Sequence, residues 1–148
     1  MNPPHEFKVV CVRECLAPPA TLETPHQASE YWHANIPQAP WFDPCKEALV
    51  VLVLNIRHRI MGHNLVALGT LDSVNVHARE VFRPVIAMAG HACVVVHNHP
   101  SGDSTPSQAD IKVTRDLIRV GQLLKIELLD HLIIGETTTS LKSLGYFS

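Results

Sequence analysis

Two histidines and one aspartate have the types and the spacing of a metal site. His97 and His99 are two residues apart at the end of an apolar run, and Asp110 follows in the same stretch of the chain. In a β-strand, residues two apart point to the same side, so both imidazoles can bind one ion. We expect Asp110 in the first turn of the next helix, where the helix dipole favours its ionised form.

The expected cofactor at His97, His99 and Asp110 is Zn²⁺. Zinc in proteins usually has four ligands, so three protein ligands leave one position to water, as in catalytic sites. Zinc in such a site lowers the pKa of its water to about 7 and polarises a bound carbonyl. The pattern therefore predicts catalysis by an activated water.

Ser107 is a candidate catalytic residue because it lies one helical turn before Asp110. Its hydroxyl could donate a hydrogen bond to a developing oxyanion. It could equally cap the helix, which would be a purely local use. The sequence leaves both interpretations open.

Glu47 is the candidate general base. It stands immediately before a fully apolar run, which is an unusual place for a solvated carboxylate, although it could simply end the strand beside Lys46. Glu80 is the second candidate. A surface ion pair with Arg79 or Arg83 is its more typical role.

The elements that position these residues alternate imperfectly between strands and helices. This order predicts a mixed α/β sandwich, with a sheet between helices, rather than a doubly wound sheet. The predicted strands are Ala48–Asn55, Met61–Leu68, Ala92–Val96, Ile126–Ile134 and Thr137–Leu141. The first of these is apolar and β-branched throughout, which is typical of a strand buried on both faces.

Two helices are predicted between the later strands. One covers Asn75–Ala89 and contains Pro84, which should kink it. The other follows the loop after His99. Thr105 with Gln108 forms a capping-box pattern that places Pro106 at its first position.

The chain has 148 residues, of which 46% are apolar and 18% charged, and this suits one folded domain. Residues 1–45 are rich in proline and are expected to form a partly irregular segment, with a short strand at Phe7–Val12 and a short helix near Gln27–Asn35. Residues 46–148 form the predicted domain.

Charge and hydropathy exclude some classes of protein. A net charge of -2 does not support a dedicated nucleic-acid binder, although transient contact stays open. No run approaches the roughly 20 apolar residues that span a bilayer, and the N-terminus does not resemble a signal peptide. We therefore expect a cytoplasmic protein with reduced cysteines and no membrane partner.

The motif resembles the JAMM signature of JAB/MPN metallopeptidases. It consists of Glu47, then His97-x-His99, seven residues, Ser107, two residues and Asp110. The wider sequence is more similar to RadC-like proteins. The matching segments are Arg79-Glu80-Val81-Phe82, His97-Asn98-His99-Pro100-Ser101-Gly102-Asp103, Pro106-Ser107 and Asp130-His131.

The resemblance covers about Lys46 to Phe147 and implies a cytidine-deaminase-like JAB/MPN architecture. It implies a bacterial zinc-dependent hydrolase that cleaves a peptide or isopeptide bond in a protein substrate. The implied roles are zinc ligands for His97, His99 and Asp110, acid/base for Glu47 and oxyanion donor for Ser107.

Three points qualify the resemblance. Asn98 stands between the histidines where eukaryotic deubiquitinase relatives usually carry Ser or Thr, as is normal for RadC-like members. The helix-hairpin-helix region of longer RadC proteins is expected to be absent. Residues 1–45 lie outside the resemblance.

His131 could support the metal site or be a structural histidine. The alternative function is a DNA-associated RadC-like protein, in repair or on mobile elements, that uses its metal for binding or phosphodiester chemistry. The oligomeric state is open.

Overall fold

The computed structural model describes residues 1–16, 21–70 and 76–148. In these residues one sheet has the strand order β2-β1-β3-β4-β5. Only β3 and β4 run parallel among the paired strands, so the sheet is mixed, as predicted. The strands are β1 (Ala48–Leu54), β2 (Ile60–Leu68), β3 (Ala92–Asn98), β4 (Glu127–Ile134) and β5 (Thr138–Ser140).

The two central strands are apolar because both of their faces are covered. Every residue of β1 and β3 is buried. Strand β2 lies at the edge and has only half-buried and exposed positions, as an edge strand can. The tight β1–β2 connection forms around Asn55, whose side-chain oxygen accepts hydrogen bonds from the N–H groups of Arg57 and Arg59.

Helices cover both faces of the sheet. Helix α1 (Pro25–Asn35) packs through Tyr31 and Trp32 on one face, against the side chains of Val50, Leu52 and other strand residues. Helices α2 (Ala78–Ala87) and α3 (Gln108–Leu124) pack on the opposite face. The predicted fold class, a mixed sheet sandwiched by helices, is confirmed. Within the described ranges, no helix combines the length and apolar character needed to cross a bilayer.

The start of α3 differs from the prediction. Ser107, and not Thr105, is the N-cap, so Pro106 lies before the helix instead of at its first position. Thr105 is held elsewhere, because its N–H and hydroxyl both donate to the Asp103 carboxylate. Ser107 and Asp110 provide the capping box.

Helix α2 is shorter than predicted. It begins at Ala78, with His77 as an extended N-cap residue, and it ends at Ala87. Asn75, where the prediction placed its start, lies outside the described residues. Pro84 lies inside the helix, as predicted.

The N-terminal zone contains the predicted helix, α1, but not the predicted strand. Phe7–Val12 has no regular secondary structure and is exposed, so the strand prediction is wrong: no described strand pairs with this segment. The sequence supplies strand-forming side chains there, but a strand also needs a partner for its backbone hydrogen bonds. The boundary at residue 45 stays a prediction.

Candidate metal site

The end of β3 and the first turn of α3 bring His97, His99 and Asp110 together. The two Nε2 atoms of the histidines lie 3.0 Å apart. The Asp110 carboxylate lies 3.3 Å from Nε2 of His97 and 3.2 Å from Nε2 of His99. His97 and Asp110 are buried, and His99 keeps 13% of its side chain exposed. This group could bind a metal ion that solvent reaches from the His99 side.

Asp110 is positioned by the N-terminus of α3. Its Oδ2 accepts a hydrogen bond of 2.8 Å from the Ser107 N–H, while its own N–H donates to Ser107 Oγ at 3.0 Å. Burial alone would raise the pKa of Asp110. The neighbouring imidazole of His97 and the Ser107 N–H outweigh burial and hold the pKa of Asp110 well below its ordinary value. The carboxylate is therefore ready to bind a cation.

The hydrogen bond of His99 leaves one ring nitrogen for a metal. Its Nδ1 lies 2.8 Å from the backbone oxygen of Asp103, which can only accept, so Nδ1 carries a proton. In neutral His99, Nε2 then holds a lone pair that points towards His97 and Asp110. A cation between them would relieve the repulsion among these electron-rich atoms.

The separations of the ring nitrogens and the carboxylate also suit a metal. Two ligands on one zinc ion, with bonds of about 2.0 Å in tetrahedral geometry, lie about 3.3 Å apart. The two Nε2 atoms lie 3.0 Å apart, while Oδ1 of Asp110 lies 3.3 Å from His97 and Oδ2 lies 3.2 Å from His99. The two imidazoles and the carboxylate are therefore close enough to share one metal ion.

Glu47 lies one residue before β1, at the end of the sheet that carries the ligand group. Strand β1 pairs antiparallel with β3, with Leu49 opposite His97. The backbone pairing stops there, and beyond it the Ala48 N–H donates to the side chain of Asn98. Glu47 is half-buried, and together with Pro100 it lines a cavity of about 520 Å³. The structure thus places the backbone of Glu47 at the same end of the sheet as His97 and His99.

The side chain of Asn98, the last residue of β3, binds the backbone on both sides of Glu47. Its Oδ1 accepts from the Ala48 N–H at 2.8 Å, and its Nδ2 donates to the Lys46 carbonyl at 3.1 Å. The Glu47 carbonyl itself accepts from the Gly69 N–H at 2.8 Å. These bonds fix the position of the Glu47 backbone just before β1.

Ser107 is the N-cap of α3, which is one of the two roles that the sequence leaves open for it. Its Oγ accepts from the Asp110 N–H, which uses an oxygen lone pair and leaves the hydroxyl proton able to donate. The side chain is exposed beside the ligand group. The cap is therefore compatible with a second use of the hydroxyl.

Glu80 lies in a surface ion-pair cluster. Its carboxylate is 2.8 Å from Arg83 and 3.8 Å from Arg79, and both arginine side chains are largely exposed. This is the ion-pair role that the sequence favours for it.

Sequence reasoning missed Thr114, which is fully buried on α3. Its hydroxyl contacts His131, and His131 contacts His97. The available signal was position: Thr114 lies one turn after Asp110, in the buried stripe that also contains Ile111 and Leu117. A hydroxyl in such a stripe needs a polar partner.

The fold and the site together define a class of protein. It is a mixed α/β domain with a His–His–Asp group at the end of its central strand. A family model of the RadC-like JAB domain matches residues 22–146. The chain belongs to the RadC-like JAB domain family. The family match begins before Lys46 and includes α1.

Relatives agree with this assignment. A UPF0758 protein of Chlorobaculum parvum is 48% identical over 106 residues, which cover 72% of this chain and 46% of the relative. A UPF0758 protein of Staphylococcus carnosus is 41% identical over 127 residues, which cover 85% of this chain and 54% of the relative. The chain spans about half the length of the curated relatives it matches.

Proposed function

We propose that this chain is a zinc-dependent hydrolase of the JAMM type that cleaves a peptide or isopeptide bond. The observation that carries the proposal is the convergence of His97, His99 and Asp110, whose nearest ring-nitrogen and carboxylate atoms lie 3.0–3.3 Å apart. The half-buried Glu47 lies at the same end of the sheet. Three protein ligands leave one coordination position open, which is the arrangement of catalytic zinc sites.

The donor set favours zinc among the common divalent ions. Imidazole nitrogens suit zinc and other transition metals, whereas magnesium and calcium prefer all-oxygen sites. When bound, zinc supplies a Lewis acid that lowers the pKa of a water molecule and polarises the substrate carbonyl. His97, His99 and Asp110 would hold it.

Glu47 is the proton carrier in this proposal. Its carboxylate would take a proton from the attacking water and pass it to the leaving amine, which an amide needs because an unprotonated amine leaves poorly. The cavity of about 520 Å³ that Glu47 and Pro100 line would give a substrate access to Glu47. The bonds from Asn98 hold the backbone on either side of Glu47 in place.

Ser107 would donate its hydroxyl proton to the oxyanion that forms from the substrate carbonyl. Its oxygen is already fixed by the Asp110 N–H, so the donor is oriented before substrate arrives. A donor fixed in advance stabilises developing charge without reorganising, and the loss of one such donor costs other hydrolases about 10²- to 10³-fold in kcat.

The DNA-associated alternative has no comparable support in the described residues. The basic side chains of Lys112 and Arg119 on α3 lie 3.0 Å and 3.7 Å from Asp116, which partly neutralises that face. The net charge is -2. Binding to duplex DNA that weakens steeply with salt would instead support the alternative.

The test of the proposal compares Glu47→Gln with the matched control Glu80→Gln. Purified protein is loaded with zinc and incubated with a quenched-fluorescence peptide library and with isopeptide-linked substrates. We expect cleavage by the wild type and Glu80→Gln, and none by Glu47→Gln, although all three keep the same zinc content. Cleavage by Glu47→Gln at the wild-type rate would remove Glu47 from the mechanism. A zinc-loaded wild type that cleaves neither substrate class would contradict amide hydrolysis.

A further inference from the structure

We infer that Thr114 and His131 are positioning residues that hold His97 in the tautomer that binds a metal through Nε2. The inference deepens the proposed function and rests on it for the identity of the metal. It concerns two side chains that touch neither the substrate nor the ion, and it follows from a chain of hydrogen bonds beneath the ligand group.

The chain of hydrogen bonds begins at one metal-binding side chain and ends at the backbone of another. Nδ1 of His97 lies 2.8 Å from Nε2 of His131. Nδ1 of His131 lies 2.6 Å from the Thr114 hydroxyl. That hydroxyl donates to the backbone carbonyl of Asp110 at 2.7 Å. The contacts thus connect β3, β4 and α3.

Counting protons along this chain leaves one neutral arrangement. The Asp110 carbonyl can only accept, so the Thr114 hydroxyl donates its single proton to that oxygen. The same hydroxyl must then accept a hydrogen bond from Nδ1–H of His131. Neutral His131 then has a lone pair on Nε2, which accepts from Nδ1–H of His97. The remaining nitrogen of His97, Nε2, has the lone pair.

That lone pair points at the ligand group. Nε2 of His97 lies 3.0 Å from Nε2 of His99 and 3.3 Å from the Asp110 carboxylate. The opposite tautomer would direct an N–H at the metal position and leave two lone pairs facing each other between His97 and His131. The hydrogen bonds therefore select the metal-binding form of the ring.

Burial makes the selection strong. His97 and Thr114 are 0% exposed, and His131 is 1% exposed, so solvent does not compete for their polar atoms. A buried donor or acceptor that is left unpaired destabilises the arrangement that leaves it so. If Thr114 only bonded back to the Asp110 carbonyl of its own helix, its hydroxyl would need no second partner, yet it also contacts His131.

The test substitutes Thr114→Val, which keeps the shape and removes the hydroxyl. Thr114→Ser keeps the hydroxyl, and Thr138→Val on β5 makes the same change at a hydroxyl that contacts Ser29 instead. Zinc affinity is measured by competition with a chromophoric chelator. We expect Thr114→Val to bind zinc about 10- to 100-fold more weakly, as for other groups that orient metal ligands. Thr114→Ser and Thr138→Val should bind like the wild type.

A second measurement reads the tautomers directly in metal-free protein. Long-range ¹H–¹⁵N spectra of ring-labelled histidines should show the His131 proton on Nδ1 in the wild type and in Thr114→Ser. In Thr114→Val, the proton should shift towards Nε2. A wild-type His131 protonated on Nε2, or a Thr114→Val variant with unchanged tautomer and zinc affinity, would overturn the inference. If the wild type binds no zinc, the proposed function fails, whereas the tautomers still decide the positioning role.

Discussion

The side chain of Asn98 bonds to the backbone of Ala48 at 2.8 Å, although the two residues are 50 positions apart in the chain. The same amide donates to the carbonyl of Lys46, so it replaces a backbone partner where the β1–β3 ladder ends. Asn98 lies between the two histidines of the ligand group, and the two residues that it contacts flank Glu47, which precedes β1. One side chain of β3 thus links the ligand group to the backbone around the proposed base.

The first prediction concerns Asn98→Ala. The substitution leaves the buried Ala48 N–H without its acceptor and should lower the free energy of unfolding by about 1–3 kcal/mol. Urea denaturation measures this loss, and hydrogen exchange should show faster exchange at the Ala48 amide. The control is Asn64→Ala, at an exposed asparagine of β2. Equal stability of the two variants would show that the amide bridge contributes nothing.

The second prediction concerns the reactivity of the cysteines. Burial raises the pKa of the Cys93 thiol to about 12, whereas Cys11 and Cys45 are exposed. Because the thiolate is the reactive form, Cys93 should resist alkylation at pH 8 in the folded protein. Iodoacetamide labelling followed by peptide mass spectrometry should modify Cys11 and Cys45 first and Cys93 only after denaturation. Rapid native labelling of Cys93 would contradict the buried position.

The third prediction concerns the contact between the loop after His99 and the β4–β5 turn. A Cβ atom at Gly135 would collide with the backbone carbonyl of Gly102, which accepts from the Glu136 N–H. Gly135→Ala should therefore displace the loop after His99 and cost about 1–3 kcal/mol of stability. In the control, Gly62→Ala, the added atom meets only the flexible end of Met88 at 3.1 Å. Thermal melts that rank the control as the less stable variant would refute this reasoning.

The fourth prediction concerns removal of the metal. A ligand that binds only the folded state stabilises it, by about 2.7 kcal/mol when its concentration is 100 times its dissociation constant. Zinc should therefore raise the Tm of the wild type, and a chelator should lower it again. The His99→Ala variant should show a much smaller shift because it lacks one of the three ligands. A rise of the same size in that variant would place the stabilising zinc elsewhere.

The sequence predicted the parts of the fold that are locally determined. Strand β1 is apolar throughout because both of its faces are covered, and this pattern can be read without tertiary information. Phe7–Val12 has similar side chains but no described partner strand, and sequence cannot supply that partner. The start of α3 was misplaced because Thr105 and Ser107 both begin a plausible cap, and only the Asp103 carboxylate decides between them.

The candidate site shows the same division. The spacing of His97 and His99 on a strand predicted that both rings face one side, and the structure brings Asp110 to them. The contacts of His131 could not be predicted from sequence alone because they depend on the parallel pairing of β4 with β3. The contact of Thr114 with His131 could not be predicted either, because it forms only when α3 packs across β4.

The most direct test of the account is the metal content of the purified protein. Elemental analysis of the wild type should find about one zinc per chain, and an anomalous diffraction peak at the zinc edge should lie between His97, His99 and Asp110. His97→Ala and Asp110→Ala should each lose the metal. Full zinc occupancy in both variants, or a wild type that binds no zinc when the ion is supplied, would contradict the central claim.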